Sequence, residues 1–174
     1  MHRDLLNVIY TRRSVREFTG EKVKRDDLDA MLRAGMSAPS AVNVQPWAFI
    51  AVTDRDTLDK LCEALPYAKM LDKAGAAIIV CGIPEKDGTY AKHYWIMDCS
   101  LASGNILLAA HALGYGAVWT AAYADNERVK SVRRILSIPE NIIPLNVIPV
   151  GVPADRDAKP VDKFRQENIH WEKW

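Results

Sequence analysis

The sequence predicts a single domain of mixed helices and strands, and three observations carry that reading. Apolar runs of strand length recur along the chain, among them AAIIVCG at 76–82. Segments with helical spacing lie between them. At 174 residues the chain is long enough for one core and short for two. Alternation of this kind fits either an α+β domain or a doubly wound α/β sheet.

Taken in order, residues 3–10 read as a short helix with Leu5, Leu6 and Ile9 on one side. Residues 25–37 read as a second, with Leu28, Met31 and Leu32 as its stripe. Asp26 and Asp27 suit the positive end of its dipole. The stretch SAPSAVNVQPW then breaks regularity, and AFIAVT (48–53) follows as a strand. Asp54 caps a helix that runs to Leu65 and stops at Pro66. AAIIVCG is a buried strand. The segment from about Lys92 to Leu113 is helical, with Gly114 as its stop. AVWTA (117–121) is strand-like, and Asp125 or Asn126 starts a helix through Leu136. LNVIPVGV (145–152) is the last strand, where Pro149 argues for an edge position or a break. Residues 153–174 lack periodicity yet end in IHWEKW.

The long helix is apolar on more than one face. Trp95, Ile96, Met97, Leu101, Ile106, Leu107 and Leu108 go round it, so its own domain or a second subunit must enclose it. Trp171 and Trp174 lie beyond the last strand and need a surface to rest on. Together these features predict a homodimer.

Composition removes several function classes. With 23 basic and 22 acidic side chains, the chain lacks the broad basic surface that nucleic acid requires. No apolar run reaches the ~20 residues of a membrane span. MHRDLLNVIYTRR lacks a signal peptide's continuous apolar segment, so a cytoplasmic location is expected. Cys62, Cys81 and Cys99 are widely spaced, which suits buried reduced thiols better than a metal site. There is no GxSxG elbow, no HExxH and no P-loop. Gly114–Gly116 precede a strand instead of following one, the wrong order for a dinucleotide fingerprint.

Two stretches remain. YTRRSVREF places Arg12, Arg13 and Arg16 around Ser14. Arginines four apart would align on one helical turn and could hold an anion. They could equally form a solvated helix end or pair with Asp4, Glu17 or Glu21. PSAVNVQPW (39–47) combines Pro46, which holds the backbone extended, with the donor and acceptor of Asn43. It could read the edge of a heterocycle, or be a turn with Trp47 as a core plug.

Together, the arginine/serine run and APSxxNxQPW resemble the FMN-dependent nitroreductase family, short-chain members. DCSLASGNILLAAHALGYGAVW (98–119) is similar to that family's central helix and following strand. PVGVP (149–153), Lys159, Lys163, Arg165 and the terminal IHWEKW resemble its closing segment. The resemblance spans nearly the whole chain in order. It selects α+β: a mostly antiparallel sheet between helices, in an intertwined homodimer of one domain (1–174), with 153–174 as an arm reaching across.

The resemblance also implies site roles. Arg12 and Ser14 hold the FMN phosphate and ribityl end, with Arg13 close by. Arg16 reaches the pyrimidine side of the ring as an electrostatic stabiliser. Pro39, Ser40, Ala41 and Asn43 contact the flavin from the partner subunit. Lys163 or Arg165 completes the phosphate site, and Lys69 approaches the ring's carbonyl edge. Trp119, Thr120, Ala121 and Ala122 run beside the reactive ring, where a backbone N–H meets flavin N5. Better-known members place a glutamate and a glycine about where Ala121 and Ala122 stand. The implied activity takes hydride from NAD(P)H and passes electrons to a nitroaromatic, quinone or related acceptor by a ping-pong mechanism. Alternatives are enone reduction or dehalogenation on the same scaffold, a non-catalytic FMN-binding or sensing dimer, and a dimeric interaction module.

Overall fold

Strand pairing separates the two candidate architectures. In the computed structural model, which describes residues 5–86 and 88–174, β1 (Trp47–Val52), β2 (Ala76–Gly82), β5 (Ile143–Gly151) and β3 (Gly116–Ala117) lie in that order across one sheet. A further short strand, β4 (Thr120–Ala121), also pairs with β5. Each of these pairings is antiparallel. The fold is therefore α+β; a doubly wound sheet would be parallel.

Helices cover both faces of the sheet. Ala76, Ile78 and Val80 of β2 face α2 (Arg25–Met36) and α4 (Tyr90–Ala112). Ala77, Ile79 and Cys81 face α3 (Arg55–Ala64) and α5 (Asn126–Leu136). Burial on both sides explains why β2 is an uninterrupted apolar run. Burial also pushes the Cys81 and Cys99 thiols up to about 12. α1 (Leu5–Thr11) precedes the sheet; the predicted start at residue 3 lies outside the described residues. No helix among the described residues is long and apolar enough to cross a membrane.

Local signals act as expected. Asp54 accepts from the Thr57 N–H at 2.9 Å, and Asp125 accepts from the Glu127 and Arg128 N–H groups at 3.0 Å, each closing a helix start. Gly114 ends the turn after α4 at φ +88°, where its N–H reaches the His111 carbonyl at 3.0 Å. At Gly82 a Cβ would lie 2.1 Å from Trp95 Cε3, so the strand can pass beneath the indole only as glycine.

Pro149 requires a correction. It sits inside β5, between β2 and the β3–β4 side, not at an edge. Its carbonyl accepts from Val118 N at 3.4 Å, so its missing N–H faces the same side. There AVWTA is no continuous strand: it splits into β3 and β4 around Val118 and Trp119. The break predicted at Pro149 falls in its neighbour. β5 also starts at Ile143, because Pro144 lies at a register shift opposite Cys81.

α4 carries two apolar surfaces. Trp95, Cys99, Ala102, Ile106 and Leu107 are buried in the core. On the opposite side Tyr90, Tyr94, Met97 and Leu101 stay exposed at spacings of four, three and four. Leu5, Leu6, Ile9 and Tyr10 of α1 are exposed as well. So are Val161, Phe164, Trp171 and Trp174 of the C-terminal segment, whose residues 161–174 are exposed throughout.

Candidate functional site

The arginine run is not helical. α1 ends at Thr11, and the chain continues extended, with Val15 N donating to Ala117 O at 3.1 Å in a parallel bridge of Ser14 with Ala117. Val15 and Phe18 are buried, and a Cβ on Gly116 would sit 2.7 Å from Val15 Cβ. The expected alignment of Arg12 and Arg16 by one helical turn is thus wrong. Arg12 instead closes the end of α1, its N–H donating to Val8 O at 3.1 Å, and in the extended stretch after it Ser14 and Arg16 fall on one side. Arg13 takes the opposite side with Val15, and its guanidinium donates to the Asp155 carbonyl.

Arg12 opens on a groove of about 470 Å³ between α1 and the C-terminal segment. Lys163 lines the same groove, together with Ile9, Tyr10, Val161 and Phe164. Two cations from opposite ends of the sequence thus meet there, beside the carboxylate-bearing Asp162. Arg165 does not line it; its guanidinium donates to the Phe164 carbonyl at 2.6 Å.

The β3–β4 strip supplies an open edge. Val118 N and Ala122 N both turn inward, to Pro149 O at 3.4 Å and Leu145 O at 3.0 Å. The Thr120 hydroxyl is committed to Val147 O at 2.6 Å. The residues between them point their backbone groups outward. Ala117 O meets Val15 N in this way, and the same alternation turns the N–H groups of Trp119 and Ala121 to the outer edge. Ala122 is fully buried, so its own N–H is spent in the sheet. Above this edge the Arg128 guanidinium lies 4.8 Å from the centre of the Tyr67 ring, with Nη1 3.5 Å from Ala121 O.

The loop that follows α2 is strained and tethered. Val42, Asn43 and Gln45 have φ of 43°, 60° and 55°. Asparagine tolerates this region, but a β-branched valine does so at a cost of about 1–3 kcal/mol. Ser40 Oγ accepts from Gln45 N, and Asn43 Oδ1 accepts from Gln45 Nε2, both at 2.9 Å. Asp98 of α4 accepts from Ala41 N at 3.1 Å, although the carboxylate is 4% exposed and its second oxygen has no protein partner. The sequence reading missed Asp98; its signal is one acid in the apolar stretch IMDCSLA. Pro39 begins this loop. Lys69 stands elsewhere: its ammonium donates to the Cys62 and Glu63 carbonyls at 2.8 and 3.3 Å, closing the end of α3.

Two groups of residues therefore exist, and one chain keeps them apart. The loop is tied to α4 at Asp98, whereas Thr11, beside Arg12, meets α4 at His111 (Oγ1 to Nε2, 2.9 Å). Those anchors are 13 residues apart on α4, ~20 Å at about 1.5 Å per residue. The sheet agrees. Trp47, next to the loop, pairs across Gly82 to Ile143, while Ser14 bridges Ala117, which pairs with Val150 at the other end of β5.

Known proteins share this arrangement of the chain. A family model described as the nitroreductase family matches residues 9–66 and 62–152. A protein of Archaeoglobus fulgidus named "Putative NADH dehydrogenase/NAD(P)H nitroreductase" is 45% identical over 98% of this chain and 99% of its own. A crystal structure of that same name from Bacteroides thetaiotaomicron superposes with a TM-score of 0.92 at 47% identity, covering 100% of both chains. An FMN-dependent nitroreductase from Clostridium difficile aligns with a TM-score of 0.88 at 26% identity, over 97% of this chain and 99% of that one.

Proposed function

This chain belongs to the nitroreductase family and is an oxidoreductase, and from that premise we propose that it works as a homodimer holding FMN where two chains meet. FMN, when bound, supplies the redox chemistry, accepting hydride from NAD(P)H and passing electrons to a nitroaromatic, quinone or similar acceptor in alternating use of one site.

The residues present fit that group. Arg12 and Lys163 offer charged donors to a phosphate from one groove, and Ser14 adds a hydroxyl two residues on from Arg12. Arg16 lies two residues further, on the same side as Ser14. It would offer a permanent positive charge to the negative charge that grows on the reduced ring. The outward Ala121 N–H offers a donor to the ring. The alternation of the strip favours Ala121 over Ala122 for this part, since Ala122 N already donates to Leu145 O. Pro39, Ser40, Ala41 and Asn43 would come from the other subunit, because within one chain they stand ~20 Å along α4 from the Arg12 end. Lys69 would need to leave the α3 carbonyls to reach the ring.

The observation that carries the reading is the groove that Arg12 and Lys163 share, followed in the chain by the extended Ser14–Arg16 stretch along a sheet edge with outward N–H groups. The apolar outer stripe of α4, the exposed side of α1 and the uncovered tryptophans of the arm (153–174) support the pairing of subunits. The test is the visible spectrum of the purified protein, followed by anaerobic addition of NADH and of NADPH. A yellow protein that bleaches is expected. A colourless protein that cannot be reconstituted with FMN would refute the reading.

A further inference from the structure

Arg13 does not face the Arg12–Lys163 groove; with Val15 it lines a second one. It measures about 460 Å³ and lies between α1, the end of α4 and the start of the C-terminal segment. Arg13, Arg156, His111, Thr11 and Asn7 bring its polar groups. Among the described residues no carboxylate lines it. Asp155 is near in sequence, but its carboxylate accepts from the N–H groups of Asp157 and Ala158 at 2.9 and 3.1 Å, and it meets Arg13 through its carbonyl. Two guanidiniums line the groove with no carboxylate between them, while Asp155 and Asp157, which flank Arg156 in sequence, lie outside its lining.

The groove is also preorganised. Arg13 is pinned at Asp155. Thr11 donates to Asn7 O at 2.6 Å, so its oxygen accepts from His111 Nε2. The Tyr115 hydroxyl donates to Asp27 Oδ2 at 2.8 Å, which fixes the ring. Tyr115, Pro153 and Pro160 add apolar wall to the same groove. An apolar wall and a few convergent polar groups, at this volume, suit a small organic anion better than a bare ion.

We propose that this groove is a second anion site, separate from the Arg12–Lys163 groove, and that it takes a nucleotide: phosphate on Arg13 and Arg156, heterocycle against Tyr115 and the prolines. The site stands independently of the flavin reading, because it shares no lining residue with the Arg12–Lys163 groove. The phosphates could belong to a free nucleotide or to the adenylate half of the nicotinamide coenzyme.

The experiment is calorimetric titration of the FMN-saturated full-length protein with ADP, adenosine and inorganic phosphate. ADP is expected to bind in the micromolar range, with adenosine and phosphate each at least tenfold weaker. Arg156→Gln should weaken ADP at least tenfold and leave the flavin absorbance per chain unchanged. Arg12→Ala should leave ADP affinity unchanged. An equal rise in the KM of NADH or NADPH in Arg156→Gln would identify the coenzyme as the source; an unchanged KM would identify a free nucleotide. Absence of ADP binding, or an affinity that Arg156→Gln does not alter, overturns the proposal. So does an ADP affinity that falls with Arg12→Ala, which would place ADP on the flavin-phosphate side. A colourless protein would sink the flavin reading, yet the ADP titration would still test this groove.

Discussion

Leu101→Glu is the sharpest probe of the proposed subunit pairing. Leu101 keeps 48% of its surface exposed, at the C-terminal end of the outer stripe and midway along α4. Full burial of a leucine is worth about 1.5–3 kcal/mol, so covering the remaining half contributes ~1 kcal/mol in each copy. A glutamate in the same contact also loses hydration, a penalty of order several kcal/mol per ion before any relief by protonation. Counting both copies, the dimer should weaken by roughly 5 kcal/mol, or about 10³- to 10⁴-fold in dissociation constant. The assay is sedimentation velocity across nanomolar to high-micromolar concentrations, with flavin content read at 450 nm in the same runs. The variant should run as a monomer at micromolar concentration and lose flavin with its partner. Its circular dichroism should match the parent, because the side chain faces outward. A dimer of unchanged dissociation constant would show that this stripe is not the contact.

Three further outcomes are expected. Arg12→Ala removes a charged donor worth about 1.5–3 kcal/mol, so FMN should bind about 10- to 100-fold more weakly while riboflavin changes little; equal losses by titration would contradict the phosphate role. Gly82→Ala forces a Cβ to 2.1 Å from Trp95 Cε3; overpacking of about 1–3 kcal/mol should lower Tm by several degrees, and an unchanged melting curve would mean that the indole moves at no cost. The Cys81 and Cys99 thiols, raised by burial from 9.0 to about 12, hold their protons in the folded state where the unfolded chain releases them. Their stabilising effect is complete below pH 9 and is lost as pH climbs toward 12. Urea midpoints should therefore fall above pH 9, less steeply in the Cys81→Ala/Cys99→Ala variant, and identical slopes would refute the assignment.

Most elements were legible because their signals are local. Asp54 and Asp125 cap the helices they precede, and AAIIVCG reads as a strand through its length alone. What was missed depends on distant partners. The split of AVWTA is imposed by Pro149, about thirty residues further on. The spacing of Arg12 and Arg16 suits one helical turn, yet Val15 finds its hydrogen bond at Ala117, a contact no local pattern announces. The site residues came from family likeness, since an arginine's spacing does not say which way a strand will turn it. Asp98 escaped for a related reason: its hydrogen bond to Ala41 N spans 57 positions.

Because Asp98 and His111 hold the two groups of residues 13 positions apart on α4, damage at one is not equivalent to damage at the other in the proposed homodimer. A copy broken at Arg12 and a copy broken at Asn43, each inactive with its own kind, would form one intact centre and one doubly broken centre when mixed. In the proposed homodimer, complementation between two dead alleles, recovering up to half the activity per mixed pair, is thus expected from the length of a single helix.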